Sequence, residues 1–197
     1  MASKIQIYNM ALGNLGMQKI FSTDTDDPRY KACELYYTEA LNDTYSEYAW
    51  GFANVKEQFA IVSATVVGWD YVYAYPPNGA RVNNVFSEAN VTYKEEQDFE
   101  TVFLPDQNKK VICSNEVSAY QEYTYIVEDT TIFSPKFVVA LAFKLSALMG
   151  QTLTTDAGIA QTMQQNAVMI INEAKRLDAT EKPRTVKQTN TLANSRE

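Results

Sequence analysis

The order of apolar and polar positions divides the chain into two helical pairs with a strand-rich stretch between them. Ser3 and Gln6 have capping-box spacing, and Ile5, Tyr8, Leu12 and Leu15 then recur on one face. They predict a helix over about 3–15, closed by Gly16 as a left-handed cap. Asp26 or Asp27, followed by Pro28, predicts a second helix over about 28–48. Its stripe is Cys33, Tyr36, Tyr37, Ala40, Leu41, Thr44 and Tyr48. Ser134 and Pro135, with a Phe133–Val138 staple, open a third helix over 134–150; its face is Phe137, Val138, Leu141, Leu145 and Leu148, and Gly150 is expected to end it. A fourth, over about 155–178, carries Ile159, Met163, Ala167, Ile170, Ile171, Ala174 and Leu177 on one stripe.

Between residues 49 and 133 the period changes from helical to alternating. Trp69–Tyr75 alternates strictly and stops at Pro76-Pro77. Val82–Phe86, Val91–Tyr93, Phe99–Phe103, Lys110–Cys113 and Val117–Val127 are further strand candidates. Asn78-Gly79, Pro105-Asp106 and Ser114-Asn115 supply turns between them. The expected fold is therefore α+β. One domain over 1–178 forms an antiparallel four-helix bundle, with an antiparallel β region of five or six strands inserted at about 49–133. Residues 179–197, with few large apolar side chains and no period, are expected to be an extended C-terminal tail.

Charge sharpens that division. Of the 197 residues, 17 are Lys or Arg and 24 are Asp or Glu, a net charge of −7. Residues 175–197 hold 6 basic and 3 acidic side chains, so the body before them is net −10 and the end is net +3. An acidic body argues against tight capture of a nucleic-acid duplex, which needs clustered Lys and Arg. The tail carries Lys182, Arg184 and Lys187 with Val186 and Leu192 as its larger apolar anchors. These five are candidate partner-binding residues, with an idle, frayed terminus as the alternative.

Candidate chemistry is sparse. The chain has no histidine, which removes Ser-His-Asp and Cys-His catalysis and His-ligated metals. Cys33 and Cys113 stand far apart and predict no disulfide framework; with no signal-like N-terminus, a reducing compartment is expected. The longest apolar run, Phe137–Phe143, falls well short of the roughly twenty residues of a membrane span. Asp24, Asp26 and Asp27 suggest a calcium loop, but Arg29 stands where Gly is required and Leu35 where Glu is required. Glycine never falls in a phosphate-loop pattern. The carboxylates Glu95, Glu96, Asp98 and Glu100, and the pair Glu128-Asp129, are read as solvated charges rather than a glycosidase pair. The Trp69–Tyr75 aromatics are read as core or subunit contacts rather than a sugar-stacking platform. No catalytic, cofactor-binding or metal-binding residue is assigned.

The segment order carries a resemblance. Ile5-Gln-Ile-Tyr-Asn-Met-Ala-Leu-Gly-Asn-Leu-Gly16 precedes a Tyr- and Ala-rich helix ending in Tyr48-Ala-Trp50-Gly-Phe52-Ala53. Then comes Trp69-Asp-Tyr-Val-Tyr73-Ala-Tyr75-Pro76-Pro-Asn-Gly-Ala-Arg81-Val82. Over residues 1–178 this resembles the tail tubular protein A family of short-tailed bacteriophages, through Trp50, Phe52, Ala53, Tyr73, Tyr75, Pro76, Arg81 and Val82. The chain departs from the family at Asn78-Gly79-Ala80, where Asp-Cys is frequent. The resemblance implies a structural virion protein, not an enzyme and without a cofactor. Its partners would be further copies in a closed ring, expected to be dodecameric, the portal above, and the tail nozzle or next tail ring below. It would be assembled in the host cytoplasm, and genomic DNA would pass through without specific binding. Another phage neck component, or a glycan-acting tail enzyme, is the alternative.

Overall fold

Ser3 opens the first helix as its spacing predicts: its hydroxyl accepts from the Gln6 amide at 3.3 Å, while the Gln6 side chain accepts from the Ser3 amide at 2.7 Å. In the computed structural model, which describes residues 2–87, 97–154 and 156–181, this helix is α1, Lys4–Asn14. Gly16 has φ +72°, and the Gly16 and Met17 amides donate to the Gly13 and Leu12 carbonyls, the left-handed ending that glycine permits. Asp27 caps α2 (Pro28–Ser46) and is held by the Arg29 side chain. Ser134 caps α3 (Pro135–Leu153), and Asp156 caps α4 (Ala157–Thr180).

Among the described residues, six strands lie between the helical pairs. β1 (Asn54–Gln58), β3 (Gly79–Phe86) and β6 (Tyr120–Tyr125) form one antiparallel sheet in the order β1-β6-β3. β2 (Tyr71–Ala74), β4 (Phe99–Leu104) and β5 (Lys109–Ser114) form a second, in the order β2-β5-β4. Phe59, Tyr73, Val85, Ile112 and Ala119 fill the space between the two sheets. The second sheet's other face, with Val72, Val111 and Cys113, is covered by Val62, Ala64, Val66 and Trp69. Residues 60–62 run along the open edge of β2: Val62 donates to the Val72 carbonyl and Ala74 to that of Ala60, each at 2.8 Å. The strand expected at Val91–Tyr93 lies outside the described residues, and β1 (NVKEQ) has no alternation to announce it.

The expected four-helix bundle with a separate inserted β region is not what forms. α3 is a hub against which α1, α2 and α4 each pack, and its buried side chains (Phe137, Val138, Ala140, Leu141, Ala142, Leu145, Ser146, Met149) cover most of its circumference, leaving Val139, Phe143 and Ala147 half-buried on the remaining strip. A helix buried over most of its circumference belongs at a centre, not at one corner of a bundle. By length and composition α3 could cross a membrane, with a mean hydropathy of 1.3, and its enclosure by three helices accounts for that composition. Gly150 does not end α3. A Cβ there would lie 3.2 Å from Ala160, so the glycine lets α4 cross closely while α3 continues to Leu153. Nor is the β region separate: Ala80, Ile126 and Val127 pack on the helical core, and the Tyr45 hydroxyl donates to the Val127 carbonyl at 3.1 Å.

Candidate functional site

Trp50 and Phe52 lie where three helices meet. Trp50 is fully buried; its indole N–H donates to the Thr44 carbonyl at 2.8 Å, and its ring meets Phe137 edge-on, with centroids 5.0 Å apart. That bond satisfies a carbonyl left free near the end of α2. Gly51–Ala53 form one short 3₁₀ turn, whose first amide, Gly51 N–H, is accepted by both oxygens of Asp178 at 3.0 Å. Asp178, buried in the last turn of α4, thus ties that helix to the exit of α2. Phe52 closes the cluster against Tyr45, Phe133 and Phe137.

Tyr73, Tyr75, Pro76 and Arg81 lie in a second place. Tyr73 is buried between the sheets and stacks on Phe59 with centroids 4.9 Å apart; its hydroxyl donates to the Glu116 carbonyl. Lys110 Nζ sits 3.8 Å from the centroid of the Tyr75 ring, a cation–π contact. Pro76 starts the turn into β3. Asn78 has φ +57°, and Gly79 N–H donates to the Pro76 carbonyl at 3.1 Å, which fits a type II turn with Pro77 before the left-handed residue. A Cβ at Gly79 would lie 2.7 Å from Pro76 Cγ. Arg81 is exposed on β3, opposite Thr124. The structure therefore does not gather the motif residues into one site. Trp50 and Phe52 build the helical core, Tyr73 the sandwich, Tyr75 and Pro76 its turn, and only Arg81 reaches outward.

The candidate acids are spread over the surface. Asp98, Glu100, Glu128 and Asp129 are exposed; Glu100 accepts from the Trp69 indole at 2.9 Å, and Asp129 caps the turn Thr130–Ile132. Glu95, Glu96 and the tail residues Lys182, Arg184, Val186, Lys187 and Leu192 lie outside the described residues. Among the described residues, four carboxyls have clearly displaced pKa values, and all four are held low. The Arg29 side chain lowers Asp27, the Thr131 amide lowers Asp129, and Lys136 lowers Glu173. At Glu34 burial pushes upward but is outweighed by hydrogen bonds from Tyr8 and Lys4. A general acid needs the opposite direction. Burial pushes the Cys33 thiol up to about 12 and also raises Cys113, the reverse of a reactive cysteine. No group of three or more acidic or Cys side chains among the described residues could hold a metal ion.

Two features escaped the sequence reading. Asp178 continues the buried α4 stripe of Ala167, Ile171 and Ala174, and that spacing marks it as inward-facing. The other is a groove of about 770 Å³ between α1 and the start of α3, lined by Met10, Phe133, Pro135, Val138 and Val139 together with neutral polar side chains, and by no charged residue. It forms between elements distant in sequence, so no local pattern announces it. A scan against protein-family models finds no match to this chain, and a search of curated proteins finds none either.

Proposed function

We propose that this chain is a structural protein of a short-tailed phage virion, an adaptor ring that joins the portal to the tail nozzle and lines part of the DNA ejection channel. One observation carries the reading: the residues through which the chain resembles the tail tubular protein A family are mostly framework. Trp50, Tyr73 and Pro76 are buried, and Phe52 and Tyr75 half-buried, in the joints that set how helices and sheets meet. A motif used for shape suits a part whose task is to hold neighbours at fixed positions. The net charge of −7 suits a conduit, because a wall poor in Lys and Arg does not capture phosphates. In this reading the basic segment with Lys182, Arg184, Val186, Lys187 and Leu192 docks on the portal or a neighbouring copy. Electron microscopy of the full-length protein mixed with a short-tailed phage portal tests the proposal. Rings stacked on the portal are expected; persistent free monomers would overturn it.

A further inference from the structure

Resting on that ring reading, we propose which surfaces of the chain meet: the outer ridge of α4 in one copy seats in the α1–α3 groove of the next. From Ala157 to Asn172, α4 carries no charged residue. Val168 is 54% exposed and Met169 64% exposed on this ridge, flanked by the exposed amides Gln165 and Asn172. A large apolar pair on an outward helix face is the kind of surface that a partner covers.

Charge selects the partner. Any two copies of this chain carry −7 each and repel wherever acidic residues face one another. The exposed face of α2, with Leu35 between Glu34 and Glu39, would bring like charges together. The ridge and the groove are both free of charge, so a second copy can approach there without that opposition. A helix ridge fits a groove floored by another helix, and methionines on both sides, Met169 and Met10, adapt to an imperfect fit. Ridge and groove are different surfaces, so each docked copy still presents one free ridge and one free groove. That heterologous arrangement propagates and closes into a ring if the rotation per copy allows.

The test uses the full-length chain with Met169→Cys and Met10→Cys, singly and together, oxidised over a concentration series. Native Cys33 and Cys113 are fully buried and do not compete. An equimolar mixture of the two single variants should give mixed disulfide dimers, and the double variant a ladder of rising multiples. Adding Val168→Glu should lower the cross-link yield at least tenfold without moving the melting temperature, while Leu35→Glu changes neither. Absence of the mixed dimer, exclusive Met169→Cys homodimers, or yields indifferent to Val168→Glu would each overturn the pairing. A ladder without assembly on a portal would keep the pairing and remove the adaptor reading; rings on a portal without the mixed cross-link would do the reverse.

Discussion

Removing the Asp178 carboxylate should weaken the joint between α4 and the exit of α2 by a predictable amount. Both its oxygens accept the Gly51 amide at 3.0 Å, and the side chain is buried. A hydrogen bond to a charged group contributes about 1.5–3 kcal/mol. Against this, an acidic group in the last turn of a helix opposes the helix dipole, at a cost of about 0.3–1 kcal/mol, and that cost disappears with the carboxylate. Asp178→Ala should therefore lose about 1–2 kcal/mol net, and Asp178→Asn, which keeps one acceptor, less than that. For a chain of this size the alanine variant should melt roughly 2–8 °C lower. Urea titration followed by tryptophan fluorescence is the assay, since Trp50 adjoins Gly51 and should report the loosened joint. An alanine variant within about 0.5 kcal/mol of the parent, the range of ordinary surface changes, would refute the claim that Asp178 holds these segments together.

Gly79→Ala should destabilise by about 1–3 kcal/mol, the range for overpacking, because the new methyl would lie 2.7 Å from Pro76 Cγ; chemical denaturation measures it, and an unchanged midpoint would show that the turn relaxes freely. Asp27, whose carboxyl the Arg29 side chain holds at about 2 against an ordinary 3.8, contributes stability that is fully present above the ordinary value and is lost as pH falls through the lowered one. Acid titration of Asp27→Asn should therefore lack the part of the parent's stability loss between these two pH values, and superimposable titrations would contradict the assignment. Cys33, fully buried with its thiol pushed up to about 12, should resist iodoacetamide at neutral pH in the folded protein and react on unfolding in urea; peptide mapping reads the result, and rapid native labelling would place the thiol at the surface.

What the sequence disclosed follows the range of the physics involved. Ser3, Asp27, Ser134 and Gly16 act on amides and carbonyls a few residues away, and each was visible as a cap. The role of α3 was not. Phe137, Leu141 and Leu145 suggest one stripe, but the small residues Ala140, Ala142, Ser146 and Gly150 are buried as well, and only tertiary packing decides whether an alanine faces solvent or a neighbouring helix. β1 stayed hidden because Lys56, Glu57 and Gln58 belong to an exposed strand held by pairing with β6. Of the candidate residues, Trp50 is buried in the helical core and Tyr73 between the two sheets. The Gly51–Asp178 link and the α1–α3 groove join segments far apart in the chain, where no periodicity reaches.

β3 meets six residues of β6 with eight of its own, because Ala80 and Asn83 are additional residues at its two irregularities. The side chains sharing a face with Tyr125, Tyr123 and Gln121 are consequently Gly79, Val82 and Val85, recurring every third residue instead of every second. Losing one residue from a regular strand turns everything beyond it inside out. Excising Asn83 would instead convert the irregularity into plain ladder and keep every cross-strand partner. The sacrifice would be its side-chain bond to Thr124, and with it would go a buried amide oxygen that has no partner. Positions 80 and 83 are thus places where the chain can change length by one and still face the same way.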